Sequence, residues 1–329
     1  MTFLLENFVT LTVTGLALGA IYALIALGYT MVYGVLQLIN FAHSEVFMYG
    51  TFAATWTVMA LGGAPGGSLI EIIGWLLAAL VAAVATSAGI ALLLERVAYR
   101  PLRRRGAPRL IALISAIGAS FVLAEVIGLR DKITGAVGLD DELSEYVRNA
   151  REGTGFPQIV RTRVLFDLGD YGVTNVDVIV ISSALVMMLL LDLFVSRTRL
   201  GRGIRAVAQD SETAALMGVN SDRTVQLTFL LGGVAAGVAA VLYMIQVGST
   251  RFNTGFLLGV KAFTAAVLGG IGNLRGALVG GFVLGLAENY GSAIIGTEWQ
   301  DVVAFLLLVV ILLFRPTGLL GESLGKVRT

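Results

Sequence analysis

The sequence predicts an all-α polytopic membrane protein with eight to nine transmembrane helices, some of them broken or re-entrant. Three observations predict it. The chain is 57% hydrophobic and only 14% charged, whereas a soluble chain carries roughly 25% charged residues. Its mean hydropathy is +0.86. Its apolar residues fall into runs close to the ~20 residues that cross a bilayer. All of 1–329 reads as one transmembrane domain, with an external insertion at 130–175 and a cytoplasmic segment at 196–224. No signal peptide is expected: Met1–Asn7 has no basic residue, and the first apolar run is too long for a cleavable one.

Nine runs are candidate spans. The first, 8–34, carries Gly15 and Gly19 four residues apart. The second, 37–60, opens on polar residues. Runs 70–97 and 110–129 bracket an arginine-rich loop, and 176–195 follows the external insertion. Gly233 and Gly237 repeat the four-residue spacing in 225–247. Runs 256–271 and 274–292 are short and glycine-broken, and 300–314 closes the series. Small residues on one helix face let backbones approach closely in lipid, and that accounts for most of these glycines. The denser run Leu268–Gly276 reads as a turn between two short helices.

Arginine placement sets the orientation. Glu95–Arg109 holds six arginines against one acid, Ser196–Thr224 holds five, and the tail adds Arg315, Lys326 and Arg328. With nine spans these regions share one side, the cytoplasm. The N-terminus is then outside and the C-terminus inside. The 130–175 connection, with eight acids and six bases, lands outside as a small subdomain or amphipathic surface piece.

Gly201–Thr224 is a polar segment set between apolar runs. Its middle reads as a short helix. Asp210 or Ser211 caps the start, Glu212 sits in the first turn and Gly218 stops it. Ala214, Ala215, Leu216 and Met217 are too apolar for a simple solvated loop. The segment is either an inter-helix loop with one helical turn or a docking helix for a cytoplasmic partner.

Polar groups at membrane depth are functional candidates. Asn40-Phe41-Ala42-His43-Ser44-Glu45 is the densest such cluster. These residues either line a pathway beside a helix break or serve as interhelical hydrogen-bonding glue. Glu45 is expected to pair with a neighbour, or to sit at the interface, rather than to handle substrate. Gly269, Gly270 and Gly272 form the corresponding glycine-broken segment of the second half. Among the charges, Lys261 and Glu288 can pair, and Asp192 fits an interfacial position near a helix end.

Several chemistries drop out. The chain has no cysteine and one histidine. It has no GxxxxGK[ST], HExxH or GxSxG motif. No metal, no cofactor bound by this chain, no catalysis and no nucleic acid partner is expected.

The same residues carry a family resemblance. Gly15–Ala54 (GLALGAIYALIALGYTMVYGVLQLINFAHSEVFMYGTFAA) resembles the N-terminal signature of branched-chain amino acid ABC transporter permeases of the LivH type. ERVAYRPLR, RAVAQDSETAALMGVNSDR, KAFTAAVLGGIGNLRGALVGGFVLGLAE and DVVAFLLLVVILLFRPTGLLG are similar to that family in the same order. The likeness is weakest across 131–176. Where the family often reads Asn-Phe-Ala-His-Gly-Glu, Ser44 stands in place of the glycine. Arg275 in the glycine-rich turn favours a cytoplasmic or interfacial position for it.

The resemblance implies a type II ABC importer-like permease in a bacterial cytoplasmic membrane, carrying leucine, isoleucine or valine. Its partners would be a second, LivM-like permease subunit, two ATP-binding cassette subunits that use ATP, and an extracytoplasmic substrate-binding protein. Asn40, Phe41, His43, Ser44, Gly269, Gly270 and Gly272 are expected along the translocation pathway. Arg205, Asp210, Glu212, Ala214, Ala215, Leu216, Met217 and Gly218 are expected to couple to an ATPase. Alternatives are a urea or short-amide permease of the same family and, more remotely, a passive channel.

Overall fold

The computed structural model describes residues 4, 6–139, 141–147, 150–169 and 171–321. Lys326 and Arg328 of the tail lie outside them. Every candidate span is a helix: α1 (Phe8–Leu36), α2 (His43–Ala60), α3 (Leu69–Leu94), α4 (Arg109–Gly128), α5 (Asn175–Arg197), α8 (Ser221–Val247), α9 (Thr254–Gly269), α10 (Leu274–Ile295) and α11 (Gln300–Phe314). Two short helices, α6 (Arg199–Gln209) and α7 (Ser211–Leu216), fill the polar segment after α5.

Among the described residues, seven helical segments are long and apolar enough to cross a membrane. The other two candidate spans are α2, which opens on His43, Ser44 and Glu45, and α9. The 16 residues of α9 reach about 24 Å, short of the ~30 Å hydrocarbon core. Two boundaries differ from the sequence reading. The helix of the second span starts at His43 rather than near Gln37. The third runs on through a π-helical turn, Glu95–Tyr99, to Arg104. Pro101 has no N–H for the carbonyl four residues back, so the α ladder is already interrupted there.

Packing divides the chain into two compact units. The first takes Met1–Gln37, Arg163–Thr224 and Lys261–Thr329; the second takes Leu38–Thr162 and Val225–Val260.

In the first unit α1 crosses α10 on paired glycines. A Cβ at Gly19 would lie 2.6 Å from the Gly281 carbonyl oxygen and 2.9 Å from Phe282 Cα; Gly15 faces Gly285 in the same way. Polar side chains bind the crossing at one end. The Thr12 and Tyr290 hydroxyls lie 2.7 Å apart, and Asn289 Nδ2 donates to Leu11 O (2.7 Å) and Thr14 Oγ1 (2.6 Å). Lys261 on α9 pairs with buried Glu288 on α10 and, at 2.6 Å, with Asp301 on α11. This is the pairing the sequence offered, with Asp301 added.

The second unit packs α2, α3 and α8 by the same device. A Cβ at Gly233 would meet Ala88 Cα at 2.7 Å, and one at Gly237 would meet Val84 Cα at 2.5 Å. Ser87 Oγ donates to Val46 O at 2.9 Å. Phe156, Ile159, Val58, Ala83, Val241 and Met244 belong to one buried apolar cluster of this unit.

The 130–175 insertion is divided between the two units. Its N-terminal part belongs to the second unit. There Arg130 is buried and donates to the carbonyls of Ile127 (3.2 Å) and Ala150 (2.5 Å), while Thr154–Gly155 pairs antiparallel with Ser249–Thr250. Its C-terminal part is a hairpin, Val164–Leu168 with Tyr171–Thr174, in the first unit.

Candidate translocation and coupling sites

The polar cluster of the second span sits at a break in the backbone. Helix α1 ends with Gln37 in the left-handed region (φ 50°), its N–H bonded to Tyr33 O at 2.7 Å. A non-glycine residue there is uncommon. Residues 37–42 are not helical, and α2 begins at His43. This non-helical stretch is the connection between α1 and α2, and it precedes Ser44 rather than coinciding with it. Ser44 is helical and its hydroxyl closes the first turn onto Phe41 O at 2.8 Å.

Within the second unit the cluster is buried and hydrogen-bonded. Asn40 Oδ1 accepts from the Tyr99 hydroxyl at 2.8 Å, and Tyr99, on the π turn, packs on Phe229. Glu45 Oε1 accepts from Ser120 on α4 at 3.0 Å and from Ser44 at 3.4 Å. The other oxygen, Oε2, has no hydrogen-bond partner among the described residues. It packs against Gly255, where a Cβ would approach to 2.5 Å. His43 is buried beside them, and Phe41 is half-buried. Tyr99 and Ser120 were not singled out from sequence. Their only signals were a tyrosine at the end of an apolar run and a serine inside one.

The glycine-broken segment joins α9 to α10 in the first unit. Gly270 (φ 106°) and Gly272 (φ 98°) take conformations that favour glycine. Asn273 caps α10, accepting from the N–H groups of Arg275 (3.0 Å) and Gly276 (3.2 Å). The tail pairs back on the turn: Leu319 N–H reaches Leu268 O and Leu320 N–H reaches Gly269 O. Gly269 lies against the Gly276 backbone and Gly270 against Gly318 and Gly321, so both occupy tight backbone contacts. Gly272 borders an open cavity of about 620 Å³. Asp192 pairs with Arg275 there at 2.9 Å, the interfacial pairing its position favoured.

The coupling candidate follows the sequence closely. Thr198 caps α6, whose Gly201, Ile204 and Val207 turn inward. Arg205 bonds the Val195 carbonyl at the end of α5. Asp210 then caps α7, accepting from Glu212 N–H (2.9 Å), Thr213 N–H (3.0 Å) and the Thr213 hydroxyl (2.7 Å). The hydroxyl first, and then the two amides, hold its carboxyl below the ordinary carboxylate range. Gly218 ends the turn at φ +86°. Its N–H bonds Ala215 O, and the Val219 N–H bonds Ala214 O. Ala214 is buried and Ala215 exposed, whereas Leu216 and Met217 are 87% and 81% exposed. Two large apolar side chains thus project from a polar segment.

The family model for the permease component of the branched-chain amino acid transport system matches residues 11–312. Over 315 residues, 94% of each chain, this one is 42% identical to the high-affinity branched-chain amino acid transport system permease protein BraD of Pseudomonas aeruginosa. It is 41% identical over 311 residues to LivH of Escherichia coli K12, and 40% identical to LivH of Salmonella typhimurium, again covering 94% of each chain. With seven membrane-length helical segments among its described residues and a match from the first span to the last, the chain belongs to the permease family of branched-chain amino acid transport systems.

Proposed function

We propose that this chain forms half of the translocation pathway of an ATP-driven importer of leucine, isoleucine and valine in a bacterial cytoplasmic membrane. A second, related permease would supply the other half. Two ATP-binding subunits would dock from the cytoplasm, and a substrate-binding protein would deliver cargo from outside. The N-terminus lies outside and the C-terminus inside, in keeping with the arginine-rich segments.

The observation that carries the coupling role is the exposed Leu216–Met217 pair on the Asp210-capped α7. Exposed apolar anchors on a short rigid helix suit insertion into a groove of a partner. Closure of the ATPase subunits would push α7. Its neighbour α6, anchored by Ile204, Val207 and the Arg205–Val195 bond, would pass the movement to α5. The broken, polar start of α2, with Asn40, Phe41, His43 and Ser44, lies along the route. Gly269, Gly270 and Gly272 give the α9–α10 turn the close packing and backbone freedom that movement there needs. ATP is used by the partners; this chain binds no cofactor.

The test deletes Glu212–Met217 and measures uptake, ATPase stimulation and membrane insertion in the assembled transporter. The deletion should abolish the first two and spare the third. Normal uptake by that variant would refute the coupling role. With no native cysteine, single cysteines at exposed Leu61 and Met217 report orientation. Only the first should react with an impermeant reagent added from outside.

A further inference from the structure

We propose that the cavity beside α5, α6 and α10 binds a free aliphatic amino acid on the cytoplasmic side, so that imported product slows its own import. This rests on the cargo reading above and adds a second place where that cargo binds.

The cavity of about 620 Å³ lies wholly within the first unit and is in the size range of small-molecule sites. Its lining combines three chemistries. Arg205 and Arg275 supply guanidinium groups, Asp192 a carboxylate, and Val195, Ile271 and Leu274 an aliphatic wall. A simple anion would meet Asp192, and a purely apolar ligand would strand three charges. A zwitterion with a branched side chain uses all of them. Its carboxylate takes guanidinium N–H donors, its ammonium takes Asp192, and its side chain takes the wall.

The groups have capacity to spare. Arg205 has five donors, and the Val195 carbonyl takes only one of its groups, Nη1. Asp192 uses Oδ2 for Arg275. That pair is 70% exposed on the arginine side, so it contributes little to holding α5 on α10. Gly272 keeps the wall open: the nearest atom that a Cβ there would meet is Gly34 Cα, at 3.9 Å.

The location supplies the consequence. Arg205 sits on α6, one residue-turn and a cap before α7. A ligand bridging Arg205 to Asp192 and Arg275 ties α6 to α5 and α10. It therefore resists the displacement that coupling requires.

The assembled transporter tests this in proteoliposomes with ATP inside and binding protein outside. The readouts are leucine uptake and ATP hydrolysis, with and without isoleucine in the lumen. Labelled isoleucine binding to the purified complex lacking its binding protein is measured in parallel. Lumenal isoleucine should slow both rates in the parent. Arg275→Gln and Asp192→Asn should each weaken binding about tenfold or more and restore the ratio of inhibited to uninhibited rate towards one. Equal binding by parent and both variants would overturn the proposal. So would displacement of isoleucine by inorganic phosphate but not by valine, which marks an anion site. Uptake insensitive to lumenal isoleucine would also overturn it while leaving the cargo reading intact. Absence of any branched-chain uptake, by contrast, would strike that reading itself.

Discussion

Replacing Lys261 with methionine isolates the energetics of the buried ion cluster. Glu288 is 0% exposed and Lys261 10% exposed, whereas Asp301 is 53% exposed. The two legs are therefore unequal. Water screens the Asp301 leg, and Asp301→Asn should cost about 0–1 kcal/mol. The Glu288 leg is shielded, so Lys261→Met strands a buried carboxylate and should cost about 3–5 kcal/mol. It also removes the ammonium lying 5.8 Å from the Tyr22 ring centre, about a further 0.5 kcal/mol. The double variant Lys261→Met/Glu288→Leu removes both charges and keeps the volume, so it should return close to the parent or exceed it. Reversible unfolding in mixed micelles, followed by tryptophan fluorescence, gives the four free energies. A double variant no more stable than Lys261→Met would refute the reasoning, because the single loss would then come from packing.

Other perturbations have equally definite outcomes. Gly19→Ala brings a Cβ to 2.6 Å from the Gly281 carbonyl oxygen. Backbone must move, and stability in the same assay should fall by about 1–3 kcal/mol. Tyr99→Phe leaves buried Asn40 Oδ1 without its donor and should cost about 1–3 kcal/mol. His43→Leu should lower transport while the complex still assembles on a sizing column; unchanged uptake would make His43 a packing residue. The Asp210 cap has a pH signature. Its folded pKa is depressed, so its stabilisation is complete above the unfolded value of about 3.9 and lost as pH falls through the lower folded value. Protection of the Thr213 amide from exchange, corrected for intrinsic rates, should stay flat from pH 8 to about pH 5 and fall only in stronger acid. Asp210→Ala should remove it throughout.

The features legible in the sequence are those written in local pattern. Hydropathy located every span, and all but the start of the second and the end of the third to within four residues. The order Asp210, Glu212, Gly218 marked both ends of α7, because capping chemistry depends on neighbours only. Spaced glycines marked the crossing faces, although not which helices would meet there. What stayed hidden depends on distance or on backbone state. Tyr99, the last residue of the π turn, reaches Asn40 across 59 residues. The apolar run gives way to arginines after Val97, so the third span reads as ending there, short of the 36-residue helix that runs on to Arg104. Left-handed Gln37 carries no glycine or asparagine signature. The break before His43 was readable as a possibility from its polar residues, but its start was not. The partition into two units regroups segments far apart in sequence, which no local signal reports.

The α1–α10 crossing has a consequence for how the protein is made. Thr12 and Tyr290 are separated by 278 residues. At roughly 5–20 residues per second, α1 leaves the ribosome about 15–55 s before its partner exists. Throughout that interval its glycine face, and the Thr14 hydroxyl that will receive Asn289, stand in the membrane without the surface they are shaped for. Lipid, a neighbouring protein or an insertion factor must hold the first helix until the eighth span arrives. A nascent chain stalled before Leu274 should therefore crosslink from Gly15 or Gly19 to a factor that the finished permease no longer touches.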